Sequence, residues 1–450
     1  MAIRSFTGGA TAVAQVDSFT PANVEVDDIF TLTATGTDGT TAAIAFTATV
    51  ATVANVTAGL TAVWNASTNT LCTGVTASDE TTYVKLTADT AGTPFNVASS
   101  TTEGGGNDTQ TLVRAVVTAC DGPNYRSTAA NWTDSTAPVT GDTAVFDGRT
   151  TASCLYDMDA TGVDLAAMVI RSSYTGDIGT AGLLGVNEGP LIFECSGQVL
   201  IEGTGNYYLQ CGNDVADADI ASTIINTNGG YVELSSQKNA AAGNISAWTR
   251  TEIVQGTLLV TGDADAVATN AQSGTYIGEL WVAATANRMA NVTVIIGDQC
   301  YDQKNSAYTD LYMTEGMLTC YSALGDIIKT GGRLIIGGTG YSMTAVDDTW
   351  TSFVQTAGQT YWHPSNVTAS AEVKAAPAPV ITSGKIFGGD FDASGMLETD
   401  TTAPTITALY VWPRATVTLN NGYSNIVVTD PIHNYGGTIT LAPGQSVSFG

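Results

Sequence analysis

Short runs in which apolar and polar residues alternate fill most of this chain, and glycine, asparagine or aspartate closes each one. A period of two, carried by Thr, Val, Ile and aromatic residues, is the signature of strands with one buried face. In the second half the runs follow a recurring phrase, an apolar run, a glycine and another apolar run. It reads Val254-Gln255-Gly256-Thr257-Leu258, Thr314-Glu315-Gly316-Met317-Leu318, Thr330-Gly331-Gly332-Arg333-Leu334 and Val354-Gln355-Thr356-Ala357-Gly358. With Gly278, Gly297 and Gly384 the phrase recurs at a drifting interval of roughly 20 residues. One such unit has too little apolar surface to form a core alone, so units must stack, with glycine supplying the left-handed corner between short strands. The pattern predicts an all-β chain: a parallel β-helix or β-solenoid, on the order of 60 Å long, preceded by a small β-rich domain with one helix.

The domain organisation follows from the same pattern. Residues 1–10 read as an N-terminal arm, with Ile3, Arg4 and Phe6 among small residues before Gly8-Gly9. Such an arm docks on a partner or simply frays. Residues 11–118 read as a small docking domain, with strands expected at 13–19, 29–35, 42–49, 82–88, 95–99 and 110–117, and Asp38-Gly39 as a hairpin turn. Its helix is marked by Val53, Val56, Leu60, Val63 and Trp64 on one face, with Thr52 as cap and Asn65 as end. Residues 119–150 read as the entry to the stacked part, with Trp132 a candidate cap, because an uncovered first coil is an open sheet edge. Residues 151–450 carry the coils and closing strands, interrupted by Ala375-Ala376-Pro377-Ala378-Pro379.

Charge narrows the function classes. The chain has 15 Lys and Arg against 42 Asp and Glu, a formal net charge of −27. Cations this scarce and scattered build no phosphate-tracking stripe, so direct nucleic-acid binding is not expected. No apolar stretch is long enough to span a bilayer and the first residues lack a signal-peptide pattern, so no membrane span is expected, and the protein is expected to stay in a cytoplasm or to be released without a classical signal. The seven cysteines, an odd number with no Cys-x-x-Cys pair, read as reduced buried thiols.

Candidate chemistry is sparse. A triad needs a histidine oriented by a carboxylate, and His363 and His433 both sit in turn-like contexts instead. Asp390-Phe391-Asp392-Ala393-Ser394-Gly395 imitates the start of a calcium loop, yet Thr401 stands where its final carboxylate belongs. Asp214, Asp217 and Asp219 cluster as solvated acids. Glycan hydrolysis requires two carboxyl groups about 5–9 Å apart, and Asp298, Asp302, Asp310 and Glu315 are the acids that neighbouring coils can bring together. Trp350 and Trp362 are candidate sugar platforms, with core stacking as the alternative. Nothing calls for a catalytic residue, a cofactor or a metal ion.

Three segments, Phe19-Thr20-Pro21-Ala22-Asn23-Val24, Phe30-Thr31-Leu32 and Thr90-Ala91-Gly92-Thr93-Pro94-Phe95, together with Asn131-Trp132 and Pro138-Val139-Thr140-Gly141-Asp142-Thr143-Ala144-Val145-Phe146, carry a resemblance. Over residues 11–150 the chain resembles a module in structural proteins of tailed double-stranded DNA bacteriophages. The resemblance implies an exterior virion protein assembled in the host cytoplasm, a homotrimer, either decorating the capsid or forming a fibre or spike, and it lends no catalytic residue. The expectation is a non-enzymatic capsid decoration (cement) protein. It would bind the major capsid protein on the outer surface through Ile3, Arg4, Phe6 and the small domain. The alternative is a tail fibre or tailspike that binds, and in some cases cleaves, host glycans.

Overall fold

A computed structural model of the chain describes residues 2–36, 39–104, 109–180, 189–212, 220–236, 247–260, 276–282, 292–296, 310–320, 326–337, 349–350, 352–363, 380–393, 405–419 and 427–441. The protein is mostly β, with parallel strands in a curled sheet and a separate antiparallel unit near its start.

In the antiparallel unit the alternation works as the sequence implies. Strand Ile29–Thr35 buries every second residue, Phe30, Leu32 and Ala34, and lies between Thr41–Thr47 and Asn96–Thr102. A second sheet takes the order Val75–Asp79, Val84–Ala88, Val16–Ala22, Thr111–Thr118. The predicted helix spans Val53–Asn65 and buries Val56, Leu60 and Trp64, and the Thr52 side chain caps it by accepting from the Asn55 amide at 3.3 Å. Asn65 does not stop the helix through a left-handed turn. Its side chain exchanges two hydrogen bonds with the Ala77 backbone, at 2.9 and 3.0 Å, which fastens the helix to strand Val75–Asp79. That strand, Val-Thr-Ala-Ser-Asp, is too polar for the sequence pattern to mark. Asp38 lies outside the described residues; Gly39, at φ +76°, donates to the Gly36 carbonyl in the turn.

The parallel part begins at the chain's own start. Residues 1–10 are not an arm: Ile3–Ser5 is a strand that pairs in parallel with Thr143–Val145, and Phe6 is completely buried in the same core as the later strands. From there parallel pairing runs through strand after strand to Thr438–Leu441. Inward positions stay in register over many strands. One column reads Ile170, Ile201, Ile225, Ile253, Val282, Met313, Lys329, Gln355, Ile386 and Val411. Another reads Tyr207, Val232, Leu258, Val294, Leu318, Leu334, Thr360, Phe391 and Val417. Each is a row of side chains filling the space inside the curl, one strand spacing, about 4.8 Å, apart.

The interval between paired residues is less regular than the sequence phrase implies, 16 from Met317 to Arg333 and 36 from Gly256 to Val292. The chain between paired positions differs in length from one strand to the next, so the glycine spacing drifts. Four corner glycines do stack. A Cβ on Gly332 would lie 2.7 Å from the Gly316 carbonyl oxygen, one on Gly358 2.4 Å from that of Gly332, and one on Gly389 2.2 Å from that of Gly358. All four have φ between +69° and +83°. Gly389, not Gly384, continues the series, because Gly384 sits within strand Val380–Asp392 opposite Phe353 and Leu409.

Candidate functional site

Three places in the molecule gather residues with something to do: the covered first strands, the interior around Lys329, and the outer face of the last strands.

At the first, Phe6, Trp132 and Phe146 form an aromatic cluster, Phe6 edge-on to Trp132 with centroids 5.2 Å apart and 5.4 Å from Phe146. Trp132, almost fully buried, donates its indole N–H to the Arg126 carbonyl at 2.6 Å and lies over the start of the stack. Arg126 in turn donates to the Asp157 and Asp159 carbonyls. Asn131, wholly buried, donates to the Gly122 and Tyr125 carbonyls at 2.7 and 2.8 Å, and its side-chain oxygen accepts from the Ala10 amide at 2.8 Å. It therefore ties three separate segments at one point. Asp142 holds the chain's first residues: its carboxylate accepts from the Ala2 amide at 2.7 Å and from Arg4 at 3.4 Å. The Ala2 amide, with help from the Val139 amide and Arg4, keeps this carboxyl below the usual range against the opposing effect of desolvation.

This arrangement corrects the docking assignment. Phe6 is used in the protein's own core, and Arg4 faces Asp142 and Asp134. Only Ile3, 68 % exposed, remains available to a partner. The sequence marks Asn131 only as a neighbour of Trp132 and Asp142 only as part of a turn with Gly141. Their task is to close the first turn of chain on itself.

Beside Lys329 lies a polar island within the apolar columns. Lys329 is completely buried, and its ammonium donates to the Ala357 carbonyl at 3.1 Å. Burial pushes its pKa down to about 7, opposed by the nearby Asp390 carboxylate. Gln355 donates to the Gly388 and Asp390 carbonyls at 3.2 and 3.1 Å, and accepts from Thr360 at 2.6 Å. These side chains satisfy backbone carbonyls beside the left-handed corners from inside the curl.

On the outer face of the last strands, aromatic rings collect. Phe387 stacks on Trp412 with centroids 4.0 Å apart and Trp412 meets Tyr435 at 5.1 Å, while Tyr410 and His433 stack at 4.8 Å and 9°. Phe387 is 38 % and Tyr435 52 % exposed. The readable sign was Tyr410 and Trp412 two apart on one strand, at outward positions that Thr or Ser usually fills.

Among the described residues, those singled out for catalysis do not come together. His433 stacks on Tyr410 rather than beside a nucleophile. Asp390 and Asp392 lie in the paired strand Val380–Asp392, which denies the first half of a calcium loop its turn. Among the described residues no group of three or more His, Cys, Asp and Glu is placed to hold a metal ion. Glu315 is exposed. Asp214, Asp217, Asp219, Asp298 and Asp302 lie outside the described residues, as do the side chains of Asp310, His363 and Trp350. Trp362 is no sugar platform, since it is completely buried among the stacked columns. Cys72, Cys120, Cys154, Cys195 and Cys211 are all thiols, and burial pushes Cys154 up to about 12 and Cys195 to about 11, far from nucleophilic.

In comparisons with known proteins, no family model, no curated protein and no solved structure matches this chain.

Proposed function

We propose that this chain is a non-enzymatic structural protein of a tailed-phage particle, a capsid decoration protein on the outer surface that binds the major capsid protein. In this reading the parallel strands continue as a β-solenoid that projects outward. One observation carries the proposal: the antiparallel domain is inserted between the first strand and its partner. Val13 and Asp121 bridge at the domain's base, and the Ile3–Ser5 strand meets Thr143–Val145 directly beneath it. A globular module is thereby mounted on the covered end of a stack whose inward columns are almost wholly apolar. Docking module at one end and regular stack behind it suit a protein that adheres to a surface and stands off from it. The resemblance in residues 11–150 supplies the particle. The interior supports a rigid role, since Lys329 and Gln355, buried within it, are held by backbone carbonyls.

The test is the copy number of the chain in purified particles, measured by quantitative mass spectrometry against the major capsid protein. Decoration requires hundreds of copies; absence from the particle overturns the virion reading. A second reading, a receptor-binding fibre or spike, is favoured by the exposed Phe387 and Tyr435 rings and the half-buried Trp412 between them, which offer apolar contact to sugar rings. It requires a few dozen copies or fewer.

A further inference from the structure

The outward positions beside the inward columns form a column of their own. Through successive pairings Val169, Leu200, Ile224, Glu252, Trp281, Tyr312, Ile328, Val354, Lys385, Tyr410 and His433 occupy one line along the stack. Ile328 is 44 % exposed, and Val169, Leu200, Ile224, Tyr312, Val354 and Tyr410 are half-buried; the Trp281 side chain is outside the described residues. Along its middle the line is flanked two positions away by Gln198, Ser222, Arg250 and Ser383 on one side and by Thr314, Thr330 and Thr356 on the other, and at its far end Phe387, Trp412 and Tyr435 widen the apolar surface. A narrow apolar stripe with a polar rim is the mark of a covered surface.

We infer that a second copy of this chain covers the stripe, running antiparallel to the first about a two-fold axis between Tyr312 and Ile328. Two features of the stripe select this occupant. It is as long as the stack and repeats at the strand spacing, so a partner that fills it must repeat at the same spacing, as a second stack does. It also contains only two charged positions of opposite sign, Glu252 and Lys385, in a chain of net charge −27. About the stated axis Tyr312 faces Ile328 of the other copy, and Glu252 faces its Lys385, twice over. A parallel arrangement at the same height would set Glu252 against Glu252 and Lys385 against Lys385, which like-charge repulsion disfavours. Glu252 has a loose ion pair with Arg250 on its own strand, 3.8 Å long and solvent-exposed, which a closer partner replaces at little cost. The inference concerns the chain free in solution: an antiparallel pair sets its two small domains at opposite ends, so the pair must part before one of them stands upright on a surface.

The experiment is sedimentation analysis of the purified full-length chain and its variants. The expected result is a dimer that Ile328→Arg reduces to monomer while each chain keeps its hydrogen-exchange protection in the core strands, because Ile328 is outside the core. Glu252→Lys and Lys385→Glu should each weaken the dimer about tenfold or more, and the double variant should recover most of that loss, since opposite charges meet again with their signs exchanged. A monomer at every concentration, a trimer, or a double variant as weak as the sum of the single changes would overturn the antiparallel interface.

Discussion

The antiparallel domain and the parallel stack solve the problem of burying a β-sheet in opposite ways. In the domain, two sheets and a helix face each other, and the core is made by residues such as Phe19, Phe30, Leu60 and Trp64 that meet across layers. In the stack, each strand's inward residues meet their counterparts one strand up and down, so the core is a set of columns. The difference is in how errors spread. A fault in the domain is shared by one compact core, whereas a fault in the stack falls on the strands above and below it. Their polar interiors differ correspondingly. The domain buries the carboxylate of Asp17 against Arg114 at 2.7 Å, a paired charge. The stack buries Lys329 against backbone carbonyls, a charge held by corners.

The strongest way to separate the two regions is Gly358→Val. The residue has φ +83° and its Cβ would lie 2.4 Å from both the Gly332 carbonyl oxygen and the Lys329 ammonium nitrogen. We expect a loss of about 3 kcal/mol or more, from strain and backbone clash together. Hydrogen exchange read by mass spectrometry should lose protection in strands 327–337, 353–363 and 380–392 and keep it in 16–118. Loss in both regions would show that they unfold as one.

Lys329→Met probes the interior charge. Free in the unfolded chain the ammonium titrates near 10.5, and in the fold near 7. Between those values the unfolded chain holds a proton that the folded chain does not, so this residue makes stability rise with pH across that window. Below about 7 both states hold it and the burial penalty is at its full size. The variant should gain about 1–3 kcal/mol at neutral pH, as when a buried charge gives way to an apolar side chain. Its unfolding midpoint in urea should also lose the rise between pH 7 and about 10 that the parent shows. An unchanged pH profile would mean the ammonium is satisfied where it is.

Thr52→Ala is the smallest change and acts on the other region. Removing the cap of helix Val53–Asn65 should cost about 1 kcal/mol. The loss should register as faster exchange in the helix and in strand 75–79, with the stack unaffected.

How much of this was legible beforehand depended on range. Alternation within a strand and an apolar face on a helix are local, and Ile29–Thr35 and Val53–Asn65 emerge close to where the pattern places them. The stack was legible as recurring Gly phrases, but its register was not, since the chain between paired positions differs in length and moves each glycine independently. Lys329 and Gln355 carry no mark in the sequence, because their partners, the carbonyls of Ala357, Gly388 and Asp390, are fixed only when two strands lie side by side. The first ten residues misled for a related reason. Phe6 beside Gly8-Gly9 looks like an exposed anchor, and only the pairing with residues 143–145 shows that it is interior.

That pairing also bears on how the chain is made. Ile3 meets Thr143, so during synthesis the earlier strand waits for these hydrogen bonds until about 140 residues have followed it. The intervening domain can form its own core meanwhile, and its base, joined at Val13 and Asp121, brings the distant ends within reach. The entropy of closing a very long loop is then largely met by a folded module before the loop must close. The small domain thus acts as a splint during synthesis, and the orderly winding of the later strands begins from an end that it has already drawn together.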